Sequence, residues 1–398
     1  MSDSFREVSQ VSWFGRLRNS VVGVLIGLLL IIAMIVLLFW NEGRAVMTAK
    51  SLAEGAGLVV SVEDTPVEPS NDGKLVHVSG VTTASMIPTD TDFGIAAAGL
   101  RLERSVEMFQ WRESSSSETT TKLGGGQETV TTYSYSKAWS DRPIQSSEFK
   151  QPTGHQNPPM EIRGRDFAVP EASLGAFRLG SEIIARIGGG SRFDLGPSNL
   201  TAVENAYAGR QRISISDGRI YLGSHPTSPR IGDYRISYTL VPLGPLSLVG
   251  RQSGDTLQPY QTQAGDALLL VQPGTHTAAA MFDKAVSDNT VLTWILRGVG
   301  LVLLFVGFLL FASPLGVMAD VIPFLGSIVR LGTGVLAFAA ALLAGTITIG
   351  IAWFWYRPLL SITLVAITLA VAAILSWLGR RKAVPAAAAP ASRPQFGR

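Results

Sequence analysis

Residues 21–40 read VVGVLIGLLLIIAMIVLLFW, twenty consecutive side chains without a charge. A helix rises about 1.5 Å per residue and a hydrocarbon core is about 30 Å thick, so this run is long enough for one membrane span. Arg16 and Arg18 precede it, and Asn41-Glu42 close it. The competing reading is a cleaved leader. A leader has a shorter apolar core followed by a small-residue cleavage site. This run ends in Phe39-Trp40 and is read as an uncleaved anchor. Gly23 and Gly27 have a spacing that lets helices approach closely. One such pair in an apolar run carries no weight alone and is read as chance.

Working outward, a second apolar concentration closes the chain. Charged residues are only 16% of the 398, against roughly 25% in soluble proteins. Part of the chain therefore avoids water. Spans are expected at 290–312, 331–355 and 359–378, with a loop at 313–330 and a tight turn at 356–358. Pro314, Pro323 and Pro358 mark the interruptions. A soluble helix bundle is the competing reading, but these runs lack the polar face such helices keep. Arg297 and Arg357 sit near span ends, where their stems can snorkel to headgroups. An ion pathway is the alternative, and no Asp or Glu lies inside a span to accompany them.

Both ends are basic. The tail 379–398 carries Arg380, Arg381, Lys382, Arg393 and Arg398 without an acid, and segment 1–20 carries Arg6, Arg16 and Arg18 against Asp3 and Glu7. Cationic flanks stay in the cytoplasm, and four crossings keep the ends together. The expected fold class is an α+β membrane protein with one N-terminal and three C-terminal spans. Residues 41–289 then form a β-rich extracytoplasmic domain.

Within that domain, Lys74–Val81 alternates, Gln127–Trp139 is rich in Thr, Tyr and Val, and Tyr234–Val241 and Ala267–Val271 also read as strands. Ile213–Tyr221 holds Asp217-Gly218 between alternating residues, a strong hairpin signal. Ser114–Gly126 is Ser/Thr-rich and reads as a long mobile hairpin tip. Two helices are expected, at Ser173–Ile187 and at Thr277–Ser287, the second running straight into the next span.

Chemical signatures are sparse. The chain has no cysteine, which excludes disulfides, thiolate zinc sites and cysteine nucleophiles. His77, His155, His225 and His276 lack metal-helix spacing. No phosphate loop, dinucleotide fingerprint or nucleophile elbow occurs. Gly188-Gly189-Gly190 reads as a helix stop. No cofactor, metal or catalytic residue is assigned. The net charge of +3 gives no reason to expect a nucleic acid.

Specific words in the chain resemble the transmembrane protein 43 family. They begin with Asn41-Glu42-Gly43-Arg44-Ala45, then Ser51-Leu52-Ala53-Glu54-Gly55 and Gly73-Lys74-Leu75-Val76-His77. Val106-Glu107-Met108-Phe109-Gln110-Trp111 follows, with Phe109 where the family has tyrosine. Tyr133-Ser134-Tyr135, Trp139 and Gly154-His155-Gln156-Asn157-Pro158 come next. Gly232-Asp233, Arg251-Gln252, Gly254-Asp255 and Gly265-Asp266 lead to Tyr356-Arg357-Pro358-Leu359. The series is ordered along residues 40–360. The residues alone also allow bland roles: cross-strand aromatic packing for Glu107, Trp111, Tyr133, Tyr135 and Trp139, a headgroup anchor for Asn41 and Glu42, and a structured turn, or else a pocket, at His155–Pro159.

The resemblance implies a membrane protein without known catalysis, which self-associates and organises membrane protein complexes. It implies residence in the endoplasmic reticulum and inner nuclear membrane for animal members, with lamina-linked partners. The short N-terminal segment and the Ala/Pro-rich tail depart from those members, and the tail's composition, with the Ala/Gly-rich spans, favours a bacterial source. An inner-membrane location would then be expected, with lamina partners excluded. Expected partners are the lipid bilayer, further copies of the chain and other membrane proteins. A ligand-sensing receptor and a membrane-associated hydrolase are the competing functions.

Overall fold

The computed structural model describes residues 4–209, 211–359 and scattered positions between 361 and 374. Half of the expected fourth span, 359–378, and the whole basic tail lie outside the described residues; the described positions of that span are helical. The unbroken α-helices are α1 (Trp13–Leu58), α2 (Ser181–Arg186), α3 (Leu200–Ala206), α4 (Ala278–Ala319) and α5 (Pro323–Tyr356). Of these, α1, α4 and α5 are long and apolar enough to cross a membrane. The protein is thus a mixed α+β chain with three candidate membrane helices and a β-rich region.

The long helices exceed the apolar runs within them. The Ser12 hydroxyl accepts from the Gly15 amide and caps α1. After Trp40, good helix formers such as Ala45, Met47, Ala49, Lys50, Leu52 and Glu54 carry it on to Leu58. At about 1.5 Å per residue, α1 is roughly 70 Å long, well over twice a hydrocarbon core. The expected helix at Thr277–Ser287 is the first part of α4, capped by Thr277 and continuous with the span.

Residues 313–330, expected as a loop, are mostly helical. Helix α4 passes through Pro314 to Ala319, and α5 starts at Pro323, where proline's missing N–H costs nothing. Pro314 has no N–H for the Leu310 carbonyl, which would end a helix in water. The Ser313 hydroxyl donates to that carbonyl instead, at 2.7 Å.

Close packing joins the bundle. A Cβ on Gly27 would meet the Gly307 carbonyl at 2.6 Å, and one on Gly300 would meet Leu38 at 2.6 Å. Gly27, read from sequence as chance, therefore permits the crossing of α1 and α4. Gly23 has looser surroundings, with Ser313 Oγ at 3.4 Å.

The main strands are, in chain order, β1 (Ser4–Val11), β2 (Leu75–Thr83), β3 (Arg101–Thr121), β4 (Gln127–Ser140), β5 (Ile213–Ser216), β6 (Arg219–Leu222), β7 (Tyr234–Val241), β8 (Pro245–Ser253) and β9 (Leu270–Pro273). The first sheet runs β1-β4-β3-β7-β6-β5. Its core holds Phe93, Leu102, Val106, Met108, Ile220, Ile236 and Tyr238. The β5–β6 turn places Asp217 and Gly218 at φ of 52° and 68°, the left-handed pair that Asp-Gly supplies. The second sheet centres on β2 and β8. Its core holds Val76, Val78, Leu174, Phe177, Ile184 and Leu248.

Two strand and helix expectations change. Within Ser173–Ile187 only α2 is helical, and a small hairpin turns at Gly175 (φ 57°) before it. The stripe Leu174, Phe177, Ile184 and Ile187 is buried as expected, but it belongs to a strand pair plus one short helix. Ala267–Val271 breaks after Leu268, and β9 begins at Leu270.

The second sheet meets the long helices directly. Leu52 of α1 and Met281 and Phe282 of α4 share one cluster with Leu75, Val249 and Leu268. Glu54 accepts from the Gln263 and Ala264 amides, and Ser51 hydrogen bonds Thr262 at 2.8 Å.

Strands β3 and β4 continue as a polar ribbon beyond the sheet core, pairing from Met108↔Ser140 to Thr121↔Gln127. At about 3.4 Å per residue, this reach is roughly 45 Å. The tip expected as a long mobile loop is only the turn at 122–126. That turn docks at the far end of the bundle. The Arg16 guanidinium donates to the Gly125 carbonyl, the Gly124 amide donates to Val321, and Gly125 lies against the Trp13 ring. Segment 1–20, expected across the bilayer from residues 41–289, is hydrogen bonded to them: β1 pairs with β4 over eight positions, Ser4↔Ser134 to Val11↔Gln127. Its apolar residues, Phe5, Val8 and Val11, follow no two-residue period, so only its charges were legible in sequence.

Candidate functional site

Where α1 leaves its apolar run, four consecutive residues turn polar or small. Glu42 is 1% exposed. Its carboxylate accepts from Arg297 Nε at 2.6 Å, from the second Arg297 nitrogen at 2.8 Å and from Trp353 Nε1 at 2.8 Å. One carboxylate thereby ties α1 to α4 and α5. The Arg297 guanidinium also lies over the Trp294 ring at 4.7 Å and the Trp353 ring at 5.8 Å. Arg297 is therefore paired within the bundle rather than snorkelling. The carboxylate missing from the spans comes from just beyond one, because α1 does not stop.

Beside this pair sits a second knot. Arg44 donates to Asn289 Oδ1 at 2.9 Å, Thr293 Oγ1 at 3.0 Å and Asn41 Oδ1 at 3.3 Å. Asn41 Nδ2 donates to the Thr293 carbonyl, and Asn289 Nδ2 to that of Ala45. A Cβ on Gly43 would meet the Tyr356 ring at 2.6 Å, so glycine lets the end of α5 close on α1. In low dielectric such groups cost several kcal/mol each unless paired. Here they are paired between helices. The arrangement is a polar clamp, and its chemistry is cohesion.

The opposite end repeats the pattern. Asp320, fully buried in the α4–α5 turn, takes Arg16 and Arg330, the latter at 2.6 Å. Trp13 Nε1 donates to the Val317 carbonyl at 2.8 Å.

The remaining sequence-predicted positions fall into separate groups. At the root of the ribbon, His155 stacks on Tyr135 at 4.0 Å and meets Trp111 edge-on at 4.7 Å. Asn157 accepts from the Trp111 amide and donates to its carbonyl, so this segment zips onto β3 as a turn, and its Pro158 and Pro159 line a cleft of about 560 Å³ with Asp233 and Tyr234. Glu107 pairs with Arg235, whose guanidinium covers Trp139 at 4.6 Å. His77 lies elsewhere, on β2, with Nε2 facing the His276 carbonyl at 2.8 Å and Nδ1 facing Ser61 Oγ at 3.2 Å. Burial holds it below the ordinary value of 6.5, against the raising effect of that carbonyl. Arg357 and Pro358 line a cleft beside the clamp.

Sequence reasoning missed Asn289, Thr293 and Trp353. A signal existed: Asn289, Thr293 and Arg297 recur every four residues, a polar stripe on an otherwise apolar helix face. It also missed the buried group in the first sheet. Arg104 donates to Asp90 and Asp92 at 2.8 and 2.9 Å, and the Tyr238 hydroxyl donates to Asp90 at 2.7 Å. Burial and the Asp90 charge push Tyr238 well above the usual phenol range. Among the described residues, no group of three or more His, Asp or Glu is placed to hold a metal ion.

The family profile described as transmembrane protein 43 matches residues 108–358. Transmembrane protein 43 of Homo sapiens is 32% identical over 373 residues, covering 91% of each chain. The chain belongs to the transmembrane protein 43 family. The protein of that name from Rattus norvegicus is also 32% identical, covering 88% of each chain. A Drosophila melanogaster homolog of transmembrane protein 43 is 27% identical over 84% of this chain and 89% of its own. No solved structure matches. The profile for transmembrane protein 43 thus runs from the root of the ribbon to the turn beside the clamp.

Proposed function

We propose that this member of the transmembrane protein 43 family is a non-enzymatic scaffold, which self-associates and organises membrane protein complexes through its β-rich domain. The observation that carries the reading is continuity. Helices α1 and α4 run from the candidate membrane region into the second sheet without a break, and Leu52, Met281 and Phe282 are packed in that sheet's core. A domain fixed to its membrane helices offers a rigid platform. The clamp and the Asp320 knot secure the helices to one another at both levels. The relatives carry membrane-protein names and no enzymatic ones.

The basic flanks support cytoplasmic ends and the two sheet cores on the other side, with the ribbon reaching back along the helices to the N-terminal segment. The membrane is then the inner membrane of a bacterium, or an endomembrane in a eukaryotic source. Chemical crosslinking of the full chain in native membranes tests the scaffold reading. Adducts with further copies and with other membrane proteins are expected, and a strictly monomeric product without partners overturns it. The same continuity favours ligand sensing as a second reading. Under it, a bound metabolite or peptide raises the unfolding temperature of the full chain.

A further inference from the structure

The geometry points to an anionic-phospholipid site in the cleft between α1 and the turn after α5. The cleft, of about 530 Å³, has a floor of Val46, Ala49 and Tyr356, and its rim carries Lys50 and Arg357. Neither cation has an ion-pair partner among the described residues. The neighbouring arginines are engaged within the bundle: Arg297 pairs with Glu42, and Arg44 donates to the neutral side chains of Asn289, Thr293 and Asn41.

The cleft lies at the edge of the membrane region. Its turn packs against Gly43, three residues beyond the end of the apolar run. Phe354, Trp355 and Leu359 around it are exposed, as belt residues at a headgroup level are. The backbone N–H of Arg357 donates to the Trp353 carbonyl at 2.8 Å, and its own carbonyl accepts from Ser361. The arginine is therefore held in place on a helix end. A phosphodiester between a planar guanidinium and a lysine ammonium satisfies both. Its acyl chains then run down the exposed Phe354 and Ile351 of α5. A free phosphate would satisfy the cations but leave the apolar floor in water, so the occupant is a lipid.

The test uses the full chain in phosphatidylcholine nanodiscs with and without phosphatidylglycerol, reading retained lipid by native mass spectrometry. Phosphatidylglycerol should be retained in preference. Lys50→Gln and Arg357→Gln should each weaken retention roughly fivefold, the worth of one basic residue near an anionic surface. Arg357→Lys should keep most of the preference, and Lys74→Gln, in the domain, should leave it intact. If Arg357→Gln fails to fold, Lys50→Gln at an exposed position decides alone. Inorganic phosphate or glycerol phosphate should not displace the lipid. Equal retention of both lipids by the native chain, unchanged preference in Lys50→Gln, or displacement by inorganic phosphate would each overturn the assignment.

Discussion

Glu42 is buried and has three hydrogen-bond donors from two other helices. Removing one partner of a buried pair costs about 3–5 kcal/mol, because the other charge is stranded. Glu42→Gln should therefore lower the unfolding temperature of the detergent-solubilised chain sharply. Glu42→Gln combined with Arg297→Gln should recover part of the loss, since no guanidinium is then left alone. An unchanged single variant would show that the clamp holds nothing. At this scale the sequence was half legible. Asn41, Glu42, Gly43, Arg44 and Tyr356 stood out as words, and they do meet. Their partners did not stand out, because Thr293 and Trp353 look like ordinary span residues until a helix face is drawn through them.

At the scale of elements, the crossing of α1 and α4 rests on glycines without room for a methyl group. The nearest neighbours of a Cβ on Gly27 are backbone atoms, the Gly307 carbonyl at 2.6 Å and the Phe311 amide at 2.8 Å. Backbone cannot rotate aside. Gly27→Ala should cost about 1–3 kcal/mol, the usual range for overpacking. Gly23→Ala, with 3.4 Å to a serine hydroxyl, should be near neutral. Thermal unfolding of the two variants side by side checks this, and equal effects would mean the helices separate freely. Strands with strict alternation or an Asp-Gly turn, such as β2, β5, β6 and β7, were legible. Elements decided by one local exception were not. Ser313 rescues the helix across Pro314, and Gly175 folds a helical-looking stripe into a hairpin.

The whole molecule is tied at two distant levels. Around α1, the second sheet grips one end while the ribbon tip grips the other. A bilayer centred on Val21–Trp40 places those grips on opposite sides. The ribbon between them is rich in Ser, Thr and Glu, and its backbone edges cannot face lipid. Protein or water must cover it there. The pairing of β1 with β4 is directly testable in this cysteine-free chain. Ser9→Cys with Thr129→Cys, which face each other in register, should crosslink under mild oxidation in native membranes. A bond within one chain is expected. No bond at all would mean that residues 4–11 do not lie against the ribbon in the membrane. Long-range pairing of this kind, between residue 4 and residue 134, leaves no local trace in sequence.

The direct join of β1 to α1 at Ser12 also restricts how the bundle can move. One helix turn is about 5.4 Å, whereas a strand returns to register only after two residues, about 6.8 Å. If α1 slid by one turn along α4, β1 would be dragged to a position where its donors and acceptors no longer face those of β4. The two repeats are incommensurate, so piston motion is blocked while the strand stays paired. Tilting and rotation remain open. A stimulus that shifts α1 along its axis must first peel the N-terminal strand away.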